Sequence, residues 1–161
     1  MSYKFLPHTA DIKIQADGKS LEEAFKSSAQ ALKETIAGKI KIKEEIKKQI
    51  KAEGNDLESL LYSFLEEFLY LLDAEDFILS KIINLKISPQ KITPHKSEFR
   101  LINKKINNKS EQGKHYHAEG IITGDKASNY RFSNDVKAIT YNNMFVKKEK
   151  NKFICQFVLD V

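Results

Sequence analysis

Two aspartates lie beside runs of alternating polar and apolar residues, one near each end of the chain. Asp11 immediately precedes the alternating run that starts at Ile12. Asp160 is two residues after Val158, so in a strand both would lie on the same side, and Asp160 ends a largely apolar face of a second alternating run. Carboxylate oxygens are the donors that hard cations such as Ca²⁺ prefer. An aspartate at the end of a strand is more often solvated, however, and the residues alone make a metal site the minority interpretation.

The histidines offer a second possible site. His115 and His117 are two residues apart, which places both imidazoles on one face of a strand at a spacing that could chelate a metal. No third ligand is nearby in the sequence, so an exposed strand face is the preferred interpretation. The only cysteine, Cys155, lies between apolar residues and is expected to be a buried core residue. A single cysteine excludes an intrachain disulfide and a cysteine-rich zinc site.

The sequence carries neither of two common catalytic signatures. The six glycines are not spaced as a phosphate-binding loop, and no Gly-x-Ser-x-Gly elbow is present. The chain is therefore not expected to be a nucleotide hydrolase or a serine hydrolase.

The surrounding pattern predicts strands and two helices. Ser20 followed by Glu23 predicts a capping box and a first helix that ends near Gly38. Asn55 with Glu58 predicts the start of a second helix, whose broad apolar stripe should be buried. Strands are predicted from Ile12, around 46–52, over 77–87, 116–123 and 137–147, and over 152–159. These elements favour an α+β fold, with mostly antiparallel sheets and two helices on one face, in a single domain spanning residues 1–161.

Charge is concentrated in one part of the chain. The formal net charge is +5, yet residues 81–114 alone carry nine basic and two acidic side chains. Residues 88–114 are polar and are expected to form an insertion or long hairpin that contributes little to the core. A solvated surface is the preferred interpretation of the basic residues, and a docking surface for RNA or an acidic partner is the alternative. The chain has no apolar run of membrane-spanning length and no signal-peptide pattern, so a cytoplasmic protein is expected.

Several motifs together resemble one known family. They are YKFLPHTAD at residues 3–11, GKSLEEAF at 18–25, the second helix ending in EFLYLLD at 67–73, VKAITYN at 136–142 and LDV at 159–161. Their content and order are similar to those of the archease family, and the resemblance runs from one end of the chain to the other. Two positions depart from the family pattern: Asn142 stands where histidine is usual, and Phe64 stands where tryptophan is frequent.

The resemblance implies a function. Archeases are accessory proteins of RtcB-type RNA ligases, which join RNA ends in tRNA splicing and RNA repair. They promote guanylylation of the ligase and multiple turnover, and they bind a divalent metal, typically calcium. By resemblance the metal ligands are Asp11, Asp160 and the backbone oxygen of Val161. His8 is expected to support Asp11, and Lys137 is expected to contact the ligase or its nucleotide. The protein itself would not be an enzyme, and RNA would be reached only through the ligase.

Three other functions remain open at this stage. A metal-dependent hydrolase would use Asp11 and Asp160 to activate water. A direct RNA-binding module would use the lysines of residues 81–114, although few aromatic residues accompany them. A general chaperone-like module is the third alternative.

Overall fold

A computed structural model describes residues 1–7, 10–91, 114–132 and 134–161. Within these ranges no helix is long and apolar enough to cross a membrane. The elements, in chain order, are β1 (Ser2–Leu6), β2 (Ile12–Gly18), α1 (Leu21–Ala37), β3 (Ile46–Gly54), α2 (Leu57–Glu75), β4 (Phe77–Lys91), β5 (Lys114–Lys126), a short 3-10 helix (Ala127–Asn129), β6 (Ala138–Glu149) and β7 (Lys152–Asp160).

The strands form two antiparallel sheets. Sheet A has the order β1-β2-β7-β6, and sheet B has the order β3-β5-β4. Helix α1 contacts β1, β2 and β7 of sheet A and β4 of sheet B, whereas α2 contacts β6 of sheet A and all three strands of sheet B. The predicted α+β class is therefore confirmed, and both helices contribute to joining the two sheets.

Helix α1 begins largely as the sequence predicts. The Ser20 hydroxyl accepts a hydrogen bond from the Glu23 N–H at 3.2 Å. The Glu23 carboxylate accepts one from the N–H of Lys19 at 2.8 Å, one residue earlier than in a standard capping box. At the other end, Gly38 has a positive φ of 59° and its N–H bonds the Glu34 carbonyl, which terminates the helix as predicted.

Helix α2 begins one residue later than predicted. Its N-cap is Asp56, whose carboxylate accepts from the Ser59 N–H at 2.6 Å. The Ser59 hydroxyl in turn accepts from the Asp56 N–H at 3.1 Å, which completes a reciprocal capping box. The predicted cap, Asn55 with Glu58, is wrong because the Asp56 and Ser59 pair satisfies these open N–H groups instead.

The core lies between the helices and the inward faces of both sheets. The buried stripe of α2 consists of Leu60, Leu61, Phe64, Leu65, Phe68, Leu69 and Leu71. Phe64 packs against Phe25 of α1 with ring centroids 5.3 Å apart. Phe64, which replaces a frequent tryptophan, is therefore a packing residue at the junction of the two helices. In sheet A, Cys155 and Phe157 are fully buried on the face that meets the helices, as the sequence predicts for Cys155.

Strands β4 and β5 form the longest pairing of the structure. They pair from Phe77 with Lys126 to Lys91 with Lys114, so the strands extend beyond the predicted bounds. Residues 88–91 and 114 belong to these strands, and residues 92–113 of the predicted insertion lie outside the described residues. A Cβ atom added to Gly124 would lie 2.1 Å from the carbonyl oxygen of Ile78, so only glycine permits this close approach of the two strands.

Candidate metal centre

The pairing of sheet A brings the two ends of the sequence together. Ile12, the first residue of β2, pairs with Leu159 near the end of β7. Because the strands are antiparallel, Asp11, which immediately precedes β2, and Asp160, which ends β7, lie at the same end of the sheet. On the other side of β7, Asp160 pairs with Ala138, the first residue of β6. Three strand ends therefore meet at one edge of sheet A.

The alternation of strand residues decides where these side chains point. Leu159 and its partner Ile12 belong to the side of the sheet that meets the helices, and Leu159 is fully buried. Asp160 therefore belongs to the opposite side, the far side of sheet A, which also carries Lys13 and Asp17. Asp11 lies one residue before the paired part of β2 and Asp160 ends β7, so the pairing brings the two residues to the same end of the sheet.

Lys137 joins the same edge. Its backbone N–H donates to the Asp160 carbonyl at 2.8 Å. Its ammonium group donates to the Val161 carbonyl at 3.4 Å, and the side chain is exposed. The structure thus brings Asp160, Val161 and Lys137 into contact. His8, the predicted support for Asp11, lies outside the described residues.

The donor set of this edge is made of oxygens. Asp11 and Asp160 are both half-buried, and within the described residues no third His, Cys, Asp or Glu completes a metal-binding group with them. Two carboxylates and the Val161 carbonyl suit a hard cation that also takes water or partner oxygens. The Lys137 contact to Val161 is long and exposed, so it presents little competition for that oxygen. The residues therefore fit Ca²⁺ better than Zn²⁺, which prefers nitrogen and sulfur.

Helix α2 supports β6, one of the three strands that meet at this edge, through contacts that the sequence analysis did not predict. The Glu66 carboxylate accepts a hydrogen bond from the Ile139 N–H at 3.4 Å, and the Glu58 carboxylate accepts one from the Val146 N–H at 3.0 Å. Between these two glutamates on the helix, Tyr62 stacks on Tyr141 with ring centroids 4.3 Å apart. The spacing of four residues between Glu58, Tyr62 and Glu66 was the available signal, because it places all three on one helical face.

Asn142 occupies the irregular part of β6. The register of β6 with β7 shifts between Thr140 and Phe145, and Asn143 has a positive φ of 56°. The Asn142 N–H donates to the Thr140 hydroxyl at 3.3 Å, and its side-chain oxygen accepts from the Asn143 amide at 3.0 Å. Both the backbone N–H and the side chain of Asn142 therefore make hydrogen bonds within the irregular part of β6.

Cys155 does not contribute to this edge. Burial raises the pKa of its thiol to about 12, against a contrary effect of a hydrogen bond with Ser28. A thiol with that pKa stays protonated near neutrality and is a poor nucleophile or metal ligand.

Comparisons with known proteins agree with this architecture. Residues 3–161 match the model of the Archease protein family (MTH1598/TM1083). Protein archease of Pyrococcus furiosus is 37% identical over 155 residues, covering 96% of this chain and 94% of that protein. Protein archease of Pyrobaculum neutrophilum is 31% identical over 162 residues, covering 99% and 95%.

Two solved structures have a similar fold. The solution structure of Methanobacterium thermoautotrophicum protein 1598 has a TM-score of 0.70 at 21% identity, covering 99% of this chain and 98% of that one. The crystal structure of an archease described as a possible chaperone, from Thermotoga maritima, has a TM-score of 0.51 at 17% identity, covering 98% and 96%. With the family match over nearly the whole sequence, these findings establish that the chain belongs to the archease family.

Proposed function

We propose that this protein is a cytoplasmic accessory protein of an RtcB-type RNA ligase and is not itself a catalyst. It would promote guanylylation of the ligase and its multiple turnover in tRNA splicing and RNA repair. In this proposal Asp11, Asp160 and the Val161 carbonyl hold a Ca²⁺ ion, and Lys137 contacts the ligase or its bound nucleotide. RNA would be reached through the ligase.

The observation that supports the proposal most is the register of β2 with β7. It brings Asp11, just before β2, and Asp160, the last residue of β7, to the same end of the sheet although the two are far apart in the sequence. Two carboxylates and the Val161 carbonyl would offer oxygen donors to a calcium ion, which takes about six to eight oxygens and would leave coordination positions open for oxygens of a partner.

Lys137 gives the same edge a second means of contact. Its backbone N–H donates to the Asp160 carbonyl, and its ammonium group donates to the Val161 carbonyl at 3.4 Å. Lysine is a strong donor to phosphate and carboxylate oxygens. An exposed lysine beside an oxygen-rich metal site suits docking to an acidic surface or a nucleotide phosphate.

The test is a guanylylation time course with the cognate ligase, GTP and each variant of this protein. Asp11→Asn and Asp160→Asn should each remove most of the stimulation, and the double variant should be no worse than either one, because both act through one ion. The matched control is Asp17→Asn, which removes the same charge from the same side of β2 at its other end. Full stimulation by folded Asp160→Asn protein would refute the metal-centred mechanism.

A second set of assays, without ligase, distinguishes the accessory function from its alternatives. The protein without ligase should neither join RNA ends nor hydrolyse GTP. Turnover of GTP by ligase-free protein would favour the hydrolase alternative. Tight RNA binding by the protein alone would favour a direct RNA-binding module.

A further inference from the structure

Sheet B carries a second group of side chains of the kinds that bind metals, away from the edge of sheet A that contains Asp160. His115 and His117 project from β5 on the side of the sheet opposite to the helices, two residues apart. On the neighbouring strand β3, Glu53 pairs directly with His117. No third ligand is evident near the two histidines in the sequence, because Glu53 is remote in the chain and only the strand pairing brings it close.

The Glu53 carboxylate lies between the two imidazoles. Its Oε2 is 3.4 Å from Nε2 of His115, and its Oε1 is 3.2 Å from Nδ1 of His117. The histidine side chains are only 25% and 19% exposed, whereas that of Glu53 is 61% exposed. The nitrogens are therefore fixed by the sheet, and the carboxylate is free to adjust.

The hydrogen bonding of this group is incomplete. Nδ1 of His117 is buried and, although it lies 3.2 Å from Oε1 of Glu53, it makes no hydrogen bond; it is the only such side-chain atom among the described residues. Nδ1 of His115 lies 3.2 Å from the side-chain oxygen of Asn55, which can only accept, so this nitrogen carries the hydrogen. The other ring nitrogen, Nε2, faces Oε2 of Glu53 at 3.4 Å, a position that a proton or a metal ion can occupy between the two atoms.

We propose that His115, His117 and Glu53 form a binding site for a divalent transition metal of the Zn²⁺ class. One carboxylate lies within 3.4 Å of a ring nitrogen of each histidine, so Glu53 links the two imidazoles. In the described structure no three such side chains already surround one point. Closing the site needs a rotation of the exposed Glu53 side chain toward the two fixed nitrogens.

The donor set selects the metal. Imidazole nitrogen suits Zn²⁺, Cu²⁺ and Ni²⁺, whereas Ca²⁺ takes oxygen ligands. Asn55 acts as the outer partner that orients His115, whose Nε2 then faces Glu53. This site is therefore chemically distinct from the Asp11 and Asp160 edge, and its existence does not rest on the proposed function.

The position of the site also gives it a structural consequence. His117 pairs with Ser88 and His115 pairs with Gln90 on β4, so the site lies beside the last residues of the β4 and β5 pairing. A bound ion would tie β3 to β5 at this end of sheet B. Because a metal that binds only the folded state stabilises it, Zn²⁺ should raise the melting temperature.

The experiment is a titration of the full chain with Zn²⁺ in excess Ca²⁺, followed by calorimetry, with Co²⁺ absorption as a spectroscopic readout of nitrogen and oxygen coordination. One equivalent should bind. His115→Gln, His117→Gln and Glu53→Gln should each weaken binding by at least about tenfold, and Asn55→Ala should weaken it by about tenfold through His115.

The matched control is Glu119→Gln. Glu119 lies on the same side of β5, two residues beyond His117, and pairs with Lys51 and Lys86. This variant should bind Zn²⁺ as the unchanged protein does. Melting curves without metal identify any variant that fails to fold, and Glu53→Gln, at an exposed position, keeps the test valid if a histidine variant unfolds. Absence of saturable Zn²⁺ binding, or equal binding by Glu53→Gln and Glu119→Gln, would overturn the site.

Discussion

Two adjacent residues at the end of β7 should separate stability from function. Leu159 is fully buried between Ile12 and Ile139, its partners on the neighbouring strands. Truncating a buried leucine to alanine removes its contacts and leaves a cavity, at a cost of about 2–5 kcal/mol. Leu159→Ala should therefore lower the free energy of unfolding by about 3 kcal/mol, a large part of the roughly 5–15 kcal/mol that is typical of a domain.

Asp160 should behave in the opposite way. Its side chain is half-buried at the end of a strand, and the bond from the Lys137 N–H goes to its backbone carbonyl, which every substitution retains. Asp160→Ala should therefore change the free energy of unfolding by no more than about 0.5 kcal/mol. It should, however, remove stimulation of the ligase, whereas Leu159→Ala should keep stimulation at temperatures where it remains folded.

The assay is urea unfolding followed by circular dichroism, in a chelator so that metal binding does not contribute to stability. With a denaturant slope of about 2 kcal/mol/M, Leu159→Ala should lower the midpoint by about 1.5 M and Asp160→Ala by less than about 0.3 M. Ligase guanylylation is then measured with both variants. If Asp160→Ala unfolds as readily as Leu159→Ala, Asp160 is a structural residue and the functional argument for it fails.

Further predictions concern the core, the charged groups and the basic segment. Burial raises the pKa of the Cys155 thiol to about 12, so this thiol should resist alkylation in the folded protein. Because only the unfolded thiol ionises between pH 9 and about 12, the free energy of unfolding should fall as pH rises through this range, and the urea midpoint measures this loss. The hydrogen bond from the Tyr130 hydroxyl lowers the pKa of the Asp125 carboxyl. The ionised carboxylate therefore stabilises the fold at neutral pH, and this stabilisation should disappear as pH falls through the lowered pKa. Tyr130→Phe should reduce this acid dependence of the urea midpoint. Gly124→Ala should destabilise by about 1–3 kcal/mol, measured by thermal unfolding, because its Cβ would meet a backbone oxygen. Replacing residues 92–113 with a short turn should leave a folded protein by circular dichroism, and a loss of ligase stimulation only at raised salt would indicate a docking function for the segment.

Local signals in the sequence predicted the helices well. The Ser20 cap, the stop at Gly38 and the broad stripe of α2 all reflect contacts within one element, and such contacts are encoded by short-range spacing. The cap of α2 was misplaced by one residue because Asn55 and Asp56 are both good caps. Only the geometry of Ser59 decides between them.

Pairing between remote strands was less accessible. Strand β1 was not predicted, since five residues with little alternation carry a weak signal. The pairing of β2 with β7 was expected only in general terms, and the meeting of the Asp11 and Asp160 carboxylates stays a prediction. The cluster of Glu53 with the two histidines was missed because the register of β3 with β5 depends on the whole sheet rather than on local sequence.

The position of β7 has a consequence for how the protein is made. β7 is the last strand in the chain, yet it lies inside sheet A, between β2 and β6. While the ribosome is still synthesising the chain, β2 is exposed along one edge and β6 has no strand partner. Unpaired strand edges promote aggregation, and contacts between remote residues form slowly. Nascent or prematurely terminated chains should therefore depend on chaperones or be degraded, and the Asp160 edge can form only when synthesis of β7 is complete.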